Sequence, residues 1–431
     1  MNLFSSRQSP EPSFRSGAPA TTFALVFLFA AVPIKDVSPS TALWATPAIL
    51  IAAMLIAWAA ESAQFFVAQG FALAILAWLQ TLPEFAVEFV LAWKQQVPLL
   101  LANLTGALRL LTGLGWPMIY FVAAVCYRRK YGKPLREIVL EEEHCIEVVG
   151  LLVPLAYVSF VWLKGSLNLI DAAILILIYV AYLIVLRKMP PQEAEAVDEL
   201  ELIPRTIVKS RPPVRNTLII GLFVAGGLLI YYMAEPFLGS LLAISVAVGV
   251  SPFVFVQWVA PLVSEFPEKV SAFYWARTIT RAPMALMNMV SSNINQWTLL
   301  AAMLPIVYSI SRGTASTIPF DEQQQLELLM TIGQSLVGMM FLVNMKLTWW
   351  EATALFSLWF IQFGFSPVKP GPTVIGYIAT HIHWWVTVVY LLWFGAGMIR
   401  YMLGKRHAEA FRLFAQMWRR HIRPAPGSAV K

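Results

Sequence analysis

The sequence predicts an all-α polytopic membrane protein with two inverted-topology repeats of about five transmembrane helices, extra terminal helices and about 12 spans. Three observations carry this expectation. Of 431 residues, 58% are hydrophobic and only 13% charged, and many uncharged runs reach the ~20 residues that cross a bilayer. A Pro-Glu pair stands inside two otherwise apolar segments, at Pro83-Glu84 and Pro267-Glu268, and each is followed by a span opening with Asn, at Asn103 and Asn288. The distribution of Lys and Arg then makes the two motif spans run in opposite directions.

Taken in order, residues 1–40 form a polar, Ser- and Pro-containing tail and a first span or signal anchor from Ser16 to Ile34. Residues 41–186 form the first repeat. Its spans are Thr41 to Ala60, the motif span Phe66 to Trp93, Val97 to Val125, and a hairpin of Ile146–Leu163 and Leu167–Leu186. A charged, proline-containing linker covers 187–216. The second repeat, 217–366, opens with Thr217 to Val248, too long for an upright helix and expected to tilt or kink at Pro236. Then come Ser251–Ala276 with the second motif, Ala282–Ile310, Leu326–Met345 and Leu347–Phe365. An extra span occupies 367–403, and 404–431 is a basic tail in which Phe411, Phe414, Met417 and Trp418 alternate with arginines. That pattern suits an amphipathic helix on the anionic inner leaflet, or an ordinary positive-inside flank.

Orientation follows from the basic loops. With the Arg128 loop, the linker, Arg277/Arg281 and the Lys405 tail all inside, one zigzag satisfies every span and leaves both termini cytoplasmic, in a plasma or inner membrane. The net charge of +7 thus reports orientation rather than nucleic-acid binding. Cys126 and Cys145 flank the Arg128 loop and are expected as reduced thiols if it is cytoplasmic.

The motif spans carry the chemistry. An acid near the bilayer centre costs several kcal/mol or more unless something is gained. Glu265 and Glu268 lie three residues apart and share one side of a helix turn. Pro267 cannot donate a helical hydrogen bond, which frees the carbonyl of Val263; Pro83 does the same for Leu79. Carboxylates with freed carbonyls are hard oxygens of the kind Ca²⁺ prefers. On the next span Asn288, Ser292 and Gln296 recur every four residues and line one face, able to offer amide and hydroxyl oxygens. The first repeat is poorer, with Asn103 followed by Ala107 and Leu111. Arg109 lies deep in that span, where Glu84, Glu88 or Glu265 would partner it, so that it tunes the charge of the site. Acids that cap or bridge helices, and Ser and Asn that bond between helices, are the structural alternatives. His381 and His383 point to different sides of a helix and make a poor metal pair.

The two motifs resemble the calcium/cation antiporter superfamily, the sodium/calcium exchanger family, whose inverted repeats each carry Ser/Thr-x-Pro-Glu and a following Asn-rich helix. Thr81-Leu82-Pro83-Glu84 matches the first motif, and Glu265-Phe266-Pro267-Glu268 with Asn288 through Gln296 is similar to the second; the similarity spans Thr41 to Phe365. It implies Glu84 and Glu268 as paired cation-binding acids, Thr81, Ser292 and Gln296 at further ligand positions, and Asn103 and Asn288 at helix starts. Glu265 stands where the family has a hydroxyl, Ala107 and Leu111 where it has polar side chains, and Arg109 has no counterpart.

The function expected is secondary active antiport of Ca²⁺ or a similar cation against Na⁺ or H⁺ by alternating access, with no cofactor beyond the transported ions. Expected partners are inorganic cations and, at the basic tail, anionic lipids. No phosphate loop, nucleophile elbow or zinc spacing points to an enzyme. The alternatives are a non-transporting sensor of the same fold and an intramembrane enzyme using Glu84 or Glu268 as acid/base.

Overall fold

The computed structural model describes residues 37–66, 78–189, 197, 200–404 and 408–422. The expected first span, the opening half of the first motif span, part of the linker, Lys405 and Arg423 lie outside the described residues.

The first half of the chain consists of α1 (Ala42–Ala63), α2 (Leu82–Trp93), α3 (Val97–Leu110), α4 (Trp116–Tyr131), α5 (Cys145–Lys164) and α6 (Leu169–Arg187). A short linker helix, α7 (Leu202–Lys209), follows. The second half repeats the order: α8 (Pro212–Val248), α9 (Pro252–Ser264), α10 (Phe266–Arg277), α11 (Ala282–Asn295), α12 (Ala301–Arg312), α13 (Glu322–Leu342) and α14 (Trp349–Phe365). The extra span is α15 (Val374–Met402), and α16 (Glu409–Met417) is the tail helix. Among the described residues, seven helical segments are long and apolar enough to cross a membrane. Others fall short because the motifs break or polarise them, as at the Glu265 junction of α9 and α10.

The repeat is visible in detail. A π turn joins α3 to α4 at Leu111–Gly115, and another joins α11 to α12 at Gln296–Leu300. Four short strands precede the last two helices of each repeat: β1 (Glu137–Val139), β2 (Ser166–Leu167), β3 (Ile318–Pro319) and β4 (Lys346–Thr348). They pair antiparallel across the repeats, β1 with β4 and β2 with β3, as a two-fold relation between the halves requires.

Local chemistry sets the helix ends. Asn168 caps α6 by accepting from the N–H groups of Ile170 and Asp171, while Asp171 accepts the Asn168 N–H at 2.8 Å. Asp321 and Gln324 cap α13 reciprocally at 2.8 and 3.0 Å. Leu177, Tyr231, Leu392 and Met402 stay exposed on the outer surface, where hydrocarbon rather than water is the solvent. Where helices of the two halves cross, small residues allow close approach. A Cβ on Gly106 of α3 would stand 1.8 Å from the carbonyl oxygen of Gln257 on α9.

α8 runs as one continuous 37-residue helix through Pro236, about 55 Å at the helical rise, longer than an upright span needs. The tail helix α16 packs one side against the bundle, while Phe411 and Trp418 stay exposed. Ala410, Leu413 and Met417 are buried, and the Ala410 N–H donates to the Val343 carbonyl at 2.9 Å. Both cysteines are free thiols.

Candidate cation-binding site

Both motif helices start afresh two residues before their proline. Thr81 precedes α2 at φ −85°, ψ −3°, still in the helical region, whereas Glu265 leaves it at φ −93°, ψ 4° between α9 and α10. Each proline occupies the first turn of the new helix, where its missing N–H costs nothing. Glu84 and Glu268 therefore stand in the first turns of two helix N-termini, which favour negative charge. The freed Val263 carbonyl is not left wholly open, because the Glu265 N–H turns back on the carbonyls of Pro261 and Val263.

Glu84, Glu265 and Glu268 are buried and lie within electrostatic reach of one another. Gln296, the first residue of the second π turn, ties two of them together. Its amide nitrogen donates to Glu84 Oε2 and to Glu265 Oε1, both at 2.7 Å. The helix irregularity matters here, since π turns often re-aim a side chain at a functional site. Ser292, one turn earlier on α11, faces the Glu268 carboxylate.

What remains unpaired is oxygen. Glu84 Oε1, both oxygens of Glu268, Ser292 Oγ and the carbonyl oxygens of Gln296 and Asn295 are buried without a hydrogen-bond partner. Buried acceptors ordinarily find donors, and a set of unpaired hard oxygens is the donor set a dehydrated cation fits. Among the described residues no three His, Cys, Asp or Glu side chains converge on one point. The arrangement offers two acids with neutral oxygens.

The other expected residues are distributed along this column. Gln80, Glu84 and Glu88 follow one another at four-residue spacing, and α11 or α3 answers each of them. Asn288 donates to Gln80 at 3.2 Å and Asn103 donates to Glu88 at 3.0 Å. Both Asn residues thus bond to neighbours of Glu84, one turn to either side. Glu88 does not snorkel to the surface; it is fully buried and held by Asn103. Thr81 Oγ1 donates to the Trp78 carbonyl and accepts from Asn295 Nδ2 at 2.6 Å, so Asn295, two turns beyond Asn288, extends the same face of α11 along the first motif.

Two expectations need correction. Glu265 is not a free ligand: Lys269 Nζ takes its Oε2 at 2.5 Å, and Gln296 takes its Oε1. The signal was in the sequence, since Lys269 lies at i+4 from Glu265 in an apolar span. Arg109 does not tune the motif acids. Its Nη2 pairs with Glu327 Oε2 at 2.6 Å, its Nη1 donates to Gln362 at 2.8 Å, and its guanidinium stacks 4.9 Å over Trp258. Glu327 also takes Gln257 Nε2 and His383 Nδ1, at 2.9 and 2.6 Å. This second buried network joins α3, α9, α13, α14 and α15. It was not legible because Glu327 lies more than 200 residues from Arg109 in the chain.

The model of the family described as sodium/calcium exchanger protein matches residues 37–188 and 218–367. The chain belongs to that family. The two matched stretches divide between α6 and α8, where the architecture repeats. Among solved structures, the chain is 30% identical to one described as the H⁺/Ca²⁺ exchanger CAX, with a TM-score of 0.79 over 93% of this chain and 96% of that one. It is 15% identical to native YfkE, with a TM-score of 0.54 over 82% and 98% of the two chains. It is 18% identical to the sodium-calcium exchanger NCX_Mj soaked with Na⁺ and Sr²⁺, with a TM-score of 0.51 over 75% and 97%. The last two likenesses concern the fold alone. No curated protein matches the chain in sequence. The polytopic bundle with two repeats is thus the fold of an exchanger-family membrane protein.

Proposed function

We propose that this exchanger-family protein is a secondary active antiporter that carries Ca²⁺ or a similar divalent cation against H⁺. The observation that supports this most is the set of unpaired oxygens around Glu84 and Glu268 at the junction of the two motif helices. Two ionised carboxylates balance one divalent charge, and Ser292, Gln296 and Asn295 supply neutral oxygens to replace lost water. The inverted repeats favour alternating access, with one half rocking against the other around a fixed site. The proton is preferred to Na⁺ as counter-ion on two grounds. The relative at 30% identity is described as an H⁺/Ca²⁺ exchanger. The first repeat carries Ala107 and Leu111 at positions where the exchanger resemblance expects polar ligands, which leaves few oxygens for separate Na⁺ sites.

The test is Ca²⁺ uptake into proteoliposomes driven by an imposed pH gradient, with a Na⁺ gradient as the parallel arm. Glu84→Gln and Glu268→Gln should each abolish uptake while the purified protein keeps its wild-type elution profile, because removing a charged ligand forfeits the compensation for dehydrating the ion. Uptake at the wild-type rate in either variant excludes this site. Uptake driven by Na⁺ and indifferent to pH excludes the proton.

A further inference from the structure

Lys269 is a cation that the chain itself places in the cation site. It is 6% exposed, and a Lys at that depth costs ~2.5–3.5 kcal/mol unless paired. Its ammonium meets Glu265 at 2.5 Å one turn away on α10. The other oxygen of Glu265 accepts from the Gln296 amide, whose second hydrogen goes to Glu84. Lys269, Glu265, Gln296 and Glu84 form one continuous chain of charged and hydrogen-bonded groups. Glu268, the neighbour of Lys269 in sequence, is left with both oxygens unpaired. A pair that only fastened the helix break would need no link to Glu84; this one shares an amide with it.

We propose that Lys269 is a tethered cation that sets the charge of the site. By occupying Glu265 it withdraws one of three acids from coordination, so that Glu84 and Glu268 alone face the transported ion and match one divalent charge. Without Lys269 the site would hold three acids, bind a divalent cation more tightly and release it more slowly. The vacated place beside Glu265 would then accept a small free monovalent cation. The inference rests on the antiport reading of Glu84 and Glu268, and its test separates the two.

The experiment measures ⁴⁵Ca²⁺ binding to purified full-length protein, with choline or methylammonium as the monovalent ion. The variants are Lys269→Met, which keeps an unbranched chain of similar size, and Glu265→Gln/Lys269→Met, which removes both charges. Lys269→Met should bind Ca²⁺ about tenfold more tightly in choline, roughly 1.4 kcal/mol. Methylammonium should cancel the gain by taking the ammonium's seat, and the double variant should return to wild-type affinity. Ca²⁺ affinity in Lys269→Met equal to or weaker than wild type in both salts overturns the proposal. A misfolded Lys269→Met leaves the double variant decisive, since it should bind as wild type does, and loss of binding there also overturns the charge-setting role. Glu84→Gln and Glu268→Gln serve as controls. If they still bind Ca²⁺ the site reading fails; if they lose it while Lys269→Met is unchanged, only the role of Lys269 fails.

Discussion

Replacing Glu327 by Gln should destabilise the protein strongly without touching the acids of the motif helices. Arg109 is fully buried and Glu327 nearly so, at 2.6 Å. At an effective dielectric near 20 a unit pair at 2.6 Å attracts by about 6 kcal/mol. Desolvating the two ions costs several kcal/mol each, so the intact pair contributes little net stability. The loss of one partner is another matter, because it strands a guanidinium inside the bundle at a cost of ~3–5 kcal/mol. Glu327 carries more than Arg109, since Gln257 and His383 also bond to it. The assay is the half-life of monodisperse protein in detergent at fixed temperature, as membrane proteins commonly unfold irreversibly. Glu327→Gln should shorten that half-life severely, and Arg109→Met/Glu327→Gln should recover most of it. A Glu327→Gln protein as durable as wild type would refute the argument, as would a double variant no better than the sum of the single ones.

The remaining expectations are more local. Gln296→Ala removes a donor to two carboxylates and should weaken Ca²⁺ binding by about 1.5–3 kcal/mol, the range for hydrogen bonds to charged groups; unchanged affinity in a titration would show that the amide is not part of the site. Ser292→Ala should cost on the order of 1 kcal/mol in the same titration, as one lost oxygen contact, and unchanged affinity would show that Ser292 is not a ligand. Gly106→Leu should prevent assembly of a stable protein, since a side chain there enters the Gln257 carbonyl; a variant that elutes and transports normally would mean that α3 and α9 can separate.

How much of this was legible in the sequence depended on the range of the interaction. Pro83-Glu84 and Pro267-Glu268 are local signals, so the sequence located both motifs and the loss of a helical hydrogen bond at each proline, but not the interruption of the helix at Glu265. The four-residue spacing of Asn288, Ser292 and Gln296 correctly placed them on one side of α11. Spacing does not say which neighbour that side meets, and Asn288 faces Gln80 rather than an acid. Glu265 looked like a ligand because an acid in an apolar span demands compensation. The compensation is Lys269, one turn along the same helix. Arg109 posed the opposite problem. Its need for a partner was evident, but the partner sits on α13, and a pairing across more than 200 residues is a property of the fold.

The two repeats share an architecture and divide the chemistry unequally. Matching π turns put Leu111 and Gln296 at corresponding places, yet only Gln296 has a side chain that can reach an acid. The first repeat brings Glu84; the second brings Glu268, Gln296, Ser292 and the Glu265–Lys269 pair. In an inverted-repeat transporter with equal halves, the inward and outward states would present similar ligands to the ion. Here the site's unpaired neutral oxygens and Lys269 all come from the second half, so on the proposed antiport reading the two halves would not be interchangeable to the ion. Damage to α10 or α11 should therefore alter affinity and turnover together, whereas changes at Ala107, which is buried and apolar, should act on packing alone. The proposed role of Lys269 would sharpen this asymmetry, because its ammonium lies on the same helix as Glu268.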